Sequence, residues 1–445
     1  MRKKFFSLVF AVTACCVVVV GCGSKEGKYN DPIQSTIRVT TVFAGEDGNA
    51  QNYKTAVSKF EEETGINVND SSEISNESFK STVALEFQTG AEPDVLFFFN
   101  GADSDPFIRE EKVVSIEEIR EEYPEYADNM EDELITASEV DGKKYAVPVN
   151  GYWEGLFCNK EVLEQAGVEV PGIEYTWDEF IEDCRKIKKA GFTPIAASLN
   201  EIPHYWWEYS VFNHTKKGTH LDIPKNINEG NGPGWVEAMK DIKYLYEQNF
   251  FPENTLTAND DETFSMFVGD HAAFLLDGSW KVGSIASTCL NKDEDFPKYD
   301  EDELNKYEIT YVPSKGDRKA TDIIGGLSMG YYITRKAWDN EEKRDAAVKF
   351  VEYMTTDEMV GRFAGYTPSA LKNPVKSDKN RFNSLENKAI ALTLRSTSIT
   401  GAVQDRYNDE CRYSTFDEMP LLVTGEVEIE DAVAEGLAVY AEQLE

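Results

Sequence analysis

Residues 143–160 read Lys-Lys-Tyr-Ala-Val-Pro-Val-Asn-Gly-Tyr-Trp-Glu-Gly-Leu-Phe-Cys-Asn-Lys. Two strand-like runs, Tyr145–Val149 and Leu156–Asn159, flank a predicted turn of Asn150, Gly151, Tyr152, Trp153 and Glu154. Glycine at a loop centre admits backbone angles that other residues avoid. An amide, two rings and a carboxylate in one turn are what a polar ligand with apolar faces needs, although the same rings equally suit a core beneath a strand connection. The flanking chain has to decide between the two.

Upstream, strand and helix alternate. Ile37–Phe43 is rich in β-branched residues, helical spacing follows at Tyr53, Val57 and Phe60, and Gly65 stops it. Ile66–Val68 offers a short strand, Phe79–Phe87 a helix, and Asp94–Phe99 an unbroken apolar strand. Continuous apolar strands separated by helices mean a parallel sheet covered on both faces. Ser115-Ile-Glu-Glu118 has the capping-box pattern that opens a helix.

Downstream the pattern restarts. Thr176-Trp-Asp-Glu179 is a second capping box, and Trp177, Phe180, Ile181, Cys184 and Ile187 line one helical face. A strand is expected at Pro194–Ser198, then an aromatic cluster at Tyr205, Trp206 and Trp207, and a helix marked by Trp235, Met239, Ile242 and Leu245. His271–Leu276 reads as a strand running into Asp277-Gly278-Ser279-Trp280. Tyr307–Val312 and Leu327–Thr334 are strands joined through the flexible Gly325-Gly326; Glu341–Met354 and the spacing of Ile429, Val433 and Leu437 are helical.

The first 21 residues form a targeting segment: Arg2, Lys3 and Lys4 precede an apolar run, Phe5–Val20, that is short for a bilayer span of roughly 20 residues. Val19-Val20-Gly21-Cys22 resembles a lipobox, which makes Cys22 the expected lipidation site, and residues 22–35 a polar tether. The whole chain carries a net charge of -36, and removing Arg2, Lys3 and Lys4 leaves 42 cations against 81 carboxylates, near -39. Such a surface repels nucleic acid and anionic headgroups, and makes an anionic ligand less favourable. Cys158, Cys184, Cys289 and Cys411 are widely spaced, without Cys-x-x-Cys, and are expected as buried free thiols. Four histidines show no metal-ligand spacing, the acidic run Asp293–Glu303 lacks the spacing of a calcium loop, and no cofactor motif is present.

Several stretches in order resemble the bacterial extracellular solute-binding proteins (family 1), the sugar-binding lipoprotein components of ABC importers. They are the lipobox, Tyr145-Ala-Val-Pro148 with Asn159-Lys160, Gly269-Asp-His-Ala-Ala-Phe-Leu-Leu-Asp-Gly-Ser-Trp280, Gly325-Gly-Leu-Ser-Met-Gly-Tyr-Tyr-Ile-Thr334, and Ala346-Ala-Val-Lys-Phe-Val-Glu-Tyr-Met354. Cys158 departs from the tyrosine usual before Asn-Lys. The resemblance implies a two-lobed α/β fold of the periplasmic-binding-protein type (type II), each lobe a sheet flanked by helices. Hinge crossovers are expected near Asn150–Glu154, Asp277–Trp280 and Thr334–Ala337. Lobe 1 would then combine 36–149 with 281–334, and lobe 2 would combine 150–280 with 335–445.

The implied ligand is a carbohydrate, an oligosaccharide above all, held between the lobes and passed to the permease subunits of an ABC transporter. A sugar presents C–H faces and a fan of hydroxyls, which indole and phenol rings, carboxylates and amides match. Stacking candidates are Tyr152, Trp153, Trp206, Trp207 and Trp280, with one of the adjacent Trp206 and Trp207 expected inward and the other toward the cleft. Trp177, Trp235 and Trp338 fall on apolar stripes and are expected in core. Hydrogen-bonding candidates are Glu46, Asn100, Asp103 and Asp277 at strand ends, Gly326 through its backbone, and Asp405, Arg406 and Glu410 at the edge. The expected molecule is a monomeric, lipid-anchored binding protein on the outer face of the cell membrane, with no catalytic residues, metal or cofactor. With no Walker A motif and no second long apolar run, channel and ATPase are expected on other chains. Two alternatives stay open: the same fold with a non-sugar cargo, and a secreted glycan hydrolase using a carboxylate pair.

Overall fold

The computed structural model describes residues 35–45, 47–201, 204–291, 298–373, 382–407 and 409–443. The expected targeting segment, Cys22, the expected tether up to Gln34 and the candidate Glu46 lie outside the described residues. Ser35–Glu445 forms one unit, in which two large sheets each carry helices.

The first sheet is built from β1 (Thr36–Thr40), β2 (Asn67–Asp70) and β3 (Val95–Phe99), which run parallel in the order β3-β1-β2. The helices between them are delimited as the sequence suggests. Gly65 and Gly90 end helices Ala50–Thr64 and Glu77–Thr89 at φ 70° and 73°, and the Asn76 side chain accepts the Phe79 N–H at the second helix's start. Rings fill the core beneath: Phe43 packs on Phe97 at 4.7 Å, and Phe97 on Tyr331 at 4.8 Å.

The second sheet is organised by β4 (Tyr152–Asn159), one continuous strand. The expected turn at Asn150–Glu154 is therefore shorter, because Trp153 and Glu154 already pair in the ladder opposite Gly325 and Gly278. The strands that follow are β5 (Thr193–Ile195), β6 (Ala272–Gly278), the small hairpin β7 (Leu290–Asn291) and β8 (Lys298–Tyr299), then β9 (Tyr307–Thr310), β10 (Asp322–Gly326), β11 (Met329–Ile333) and β12 (Ser398–Thr400). The sheet order is β12-β10-β4-β6-β5, with β9 also on β4; β11 instead joins β3 antiparallel in the first sheet. Helix Trp177–Lys189 opens on the predicted capping box of Thr176 and Glu179 and buries Trp177, Phe180, Ile181, Cys184 and Ile187. All four described cysteines are buried free thiols. Among the described residues no helix is long and apolar enough to cross a membrane, and no cluster of potential metal ligands occurs.

The lobe boundaries correct the expectation at two of three places. Residues 281–326 stay with the second sheet, because β9 and β10 both hydrogen-bond to β4. The return to the first sheet comes after Gly326 and before Met329, two residues that belong to β10 and β11. Helix Glu341–Met354 then packs on the first core, where Phe350 meets Tyr331 at 6.0 Å, so 335–371 is not part of the second lobe. The chain crosses back only between Leu371 and Leu385, each of which belongs to a different core.

Candidate functional site

The two halves face each other through loops at strand ends. From the first half come Asn100, Gly101 and Asp103 after β3, and Gly48 ahead of helix Ala50–Thr64. From the second come the start of β4, the end of β6 with Trp280, the start of helix His204–His214, and the turn Val403–Arg406. Ligands of open α/β sheets sit beyond the carboxyl ends of strands, where the first group lies.

Successive residues of β4 point to opposite faces, and this sorts the predicted rings. Trp153 is fully buried, stacks on Phe157 at 6.0 Å and donates its Nε1–H to the Tyr366 carbonyl at 3.0 Å. Tyr152 lies on the other face, stacked on Trp280 at 6.4 Å with 29° between the planes; Tyr205 meets the same indole at 6.1 Å. Trp280 lies over the Gly278 backbone so closely that any side chain at 278 would overlap the ring. Trp206 and Trp207 do not divide as expected. Both are buried, Trp206 against Phe180 at 5.2 Å and Trp207 edge-on to Trp235 at 4.9 Å, because the cleft side of their helix is taken by His204, Tyr205 and Glu208.

Carboxylates gather around these rings. Glu154, Glu208 and Asp277 are only 1%, 2% and 1% exposed. Burial, then mutual repulsion with Glu208, Asp405 and Asp277, pushes the Glu154 carboxyl well above its usual range. Glu208 moves the same way through burial and Asp405, and burial raises Asp405 to about 6. Asp277 is pushed up to about 7 by burial, opposed by Lys281 3.7 Å away, and accepts hydrogen bonds from the Gly278 N–H at 2.7 Å and from Trp280. Oε2 of Glu154, Oε2 of Glu208 and Oδ1 of Asn100 and Asn150 are buried without a hydrogen-bond partner. Buried polar atoms are normally satisfied, so these orphans are where a ligand's polar groups belong.

Asp103 has a different employment. It pairs with Lys80 at 3.2 Å within its own half and with Arg412 of the other half at 2.7 Å, which ties the halves together. Within the second half Tyr152 donates to Asp405 at 3.4 Å; between the halves Arg406 approaches Glu139 at 3.9 Å, and Gly48 and Gly283 bring bare backbones together. Asn100 donates to the Leu327 carbonyl at 3.1 Å, and Gly326 is the ladder partner of Tyr152. The Glu410 side chain lies outside the described residues. Tyr205 and Glu208 are not among the predicted hydrogen-bonding residues, yet their three-residue spacing on a helix is a legible signal for one shared face. Glu154 is legible too, as the carboxylate two places after Tyr152 in a strand.

Two sheets meeting at rings and unpaired acceptors is a ligand-binding geometry, and the chain's residues 45–360 match the family described as bacterial extracellular solute-binding protein. The chain belongs to that family. As a member of it, this solute-binding protein fits an extracellular or periplasmic location. It is 24% identical over 255 residues to the sn-glycerol-3-phosphate-binding periplasmic protein UgpB of Rhizobium meliloti, covering 55% of this chain and 54% of that one. It is 24% identical over 266 residues to the multiple sugar-binding protein of Streptococcus mutans, covering 57% and 58%. The chain thus spans about half the length of the curated relatives it matches. Among solved structures it is similar to a chitin oligosaccharide binding protein (TM-score 0.75, 19% identity, 92% of this chain and 98% of that one). It is also similar to SBP RafE in complex with raffinose (TM-score 0.65, 17% identity, 91% and 98%). These likenesses show the two-lobed solute-binding fold, with each sheet flanked by helices.

Proposed function

We propose that this protein captures a carbohydrate, an oligosaccharide of a few rings, between its two halves and delivers it to the permease subunits of an ABC transporter. The observation that carries this reading is the ring platform of Tyr152, Trp280 and Tyr205, set beside buried acceptors that lack partners. Covering about 100 Å² on each of two sugar rings at about 25 cal/mol/Å² contributes on the order of 5 kcal/mol. Micromolar affinity needs about 8 kcal/mol, so hydrogen bonds to desolvated carboxylates supply the remainder.

Of the expected contacts, Tyr152, Trp280, Asp277, Asn100 and Gly326 serve the ligand, and Asp103 serves closure first. Tyr205, Glu154, Glu208 and Asp405 join them; Trp153, Trp206 and Trp207 support from behind. The protein binds and releases its cargo chemically unchanged, as a monomer held at the outer face of the cell membrane by lipid on Cys22 after loss of the first 21 residues. An anionic cargo such as the one in the name of the glycerol-phosphate-binding relatives is opposed by the carboxylates on this face. Titration calorimetry against a panel of neutral and charged oligosaccharides tests the reading: binding with intact sugar recovered afterwards is expected. Release of new reducing ends on incubation, or no saccharide bound at all, overturns it.

A further inference from the structure

The charges at the cleft do not balance. Asp103, Asp260, Asp277, Glu154, Glu208 and Asp405 stand there against Lys80, Arg412 and Lys281. Lys80 and Arg412 pair with Asp103, and Lys281 is held between Asp260 and Asp277. Arg412 also acts on Glu208, and with Lys80 on Asp405, whereas Glu154, at 1% exposure, has only carboxylates among the charges acting on it. Its Oε2, like that of Glu208, is buried and accepts no hydrogen bond. The rings of Tyr152, Trp280 and Tyr205 lie alongside.

We propose that the cargo is a saccharide carrying positive charge, an amino sugar with a free ammonium group seated against Glu154 and Glu208 and over the ring platform. This rests on the carbohydrate reading above and narrows its substrate class. Burial keeps such an unpartnered carboxyl protonated, and a bound cation favours its ionised form where a hydroxyl only softens the cost of ionising it. An ammonium brings three N–H donors, forms the shorter charge-assisted bonds, and gains a further attraction from aromatic faces. An N-acetylated or plain sugar donates neutral O–H or N–H groups to the same carboxylates but brings no positive charge to offset them. The net charge of -36 also raises the local concentration of cations at the cleft mouth.

Calorimetry of the protein with a glucosamine trisaccharide, its N-acetylated counterpart, an uncharged xylo-trisaccharide and spermidine decides the matter. The glucosamine trisaccharide is expected to bind at least about tenfold tighter than either neutral sugar. Glu154→Gln and, as a second variant should that one fold poorly, Glu208→Gln are each expected to abolish most of that preference. Equal or tighter binding of the neutral sugars overturns the charge inference and leaves the carbohydrate reading standing. Spermidine binding with no saccharide bound, or no saccharide bound at all, overturns both. A preference that survives both glutamine substitutions overturns the assignment to this pair.

Discussion

Trp280 and Trp207 show how little a residue's type says about its use. One lies partly exposed on the Gly278 backbone between two tyrosines, the other is fully buried among Trp235 and Phe416. Trp280→Ala is expected to weaken saccharide binding about tenfold with the melting temperature little changed. Trp207→Ala is expected to lower unfolding free energy by about 3–5 kcal/mol in denaturant titration. Asp277→Ala should weaken binding about tenfold as well, since it removes the acceptor that orients Trp280. Asp277 also makes a pH prediction. Its pKa rises on folding from 3.8 to about 7, so the folded state holds the proton more tightly. Its destabilising effect is absent at pH below the unfolded value and grows as pH climbs to about 7. In thermal melts across that window, Asp277→Asn should flatten the decline in stability of the unliganded protein; an unchanged slope would count against it. Tyr152, Asp277 and Trp280 were legible as candidates in the sequence because Tyr152 begins β4 and the other two fall at and just beyond the end of β6. Trp206 and Trp207 were not, because two neighbours on a helix do not reveal which direction is inward until the packing of Phe180 and Trp235 is known.

At the scale of elements, much of the alternation of strand and helix was legible, and so were the Thr176 cap and the stop at Gly65, but the expected strand Tyr145–Val149 makes only a single bridge, Val147 to Tyr331. The extent of β4 was not. Gly151 suggests a turn, yet its N–H is bound to the Pro368 carbonyl at 2.7 Å, and residues after it are free to enter the ladder. Which sheet receives β9 and β10 depends on pairing across more than a hundred residues, and periodicity along the chain holds no record of it. The ladder makes its own prediction. Glu154 sits opposite Gly278, whose missing side chain leaves room for the indole. Gly278→Ala should therefore displace Trp280 and reproduce the binding loss of Trp280→Ala, with circular dichroism unchanged.

Across the molecule, the chain passes between halves at three places, and the halves are joined besides by Asp103 with Arg412. Both partners are largely buried, at 12% and 9% side-chain exposure, so breaking the pair costs about 3 kcal/mol. That is enough to reverse a modest preference for the closed arrangement. Asp103→Ala is expected to increase the radius of gyration of the unliganded protein in small-angle X-ray scattering, and saturating cargo to restore it. An identical scattering curve would show that the ion pair does not set the balance of open and closed forms. The two-lobed architecture was readable from motif order, whereas the division of the chain between lobes was not, since a hinge has no composition of its own beyond the glycines at 325 and 326.

Gly48 and Gly283 carry a consequence for engineering. A Cβ on Gly283 would stand 2.6 Å from the Gly48 Cα, nearer than atoms tolerate. One added methyl there acts as a doorstop: the jaws stay ajar, cargo exchanges freely, and the shut form that a transporter would greet is never presented. Such a variant would turn a capture device into a leaky one without altering any group that touches the guest.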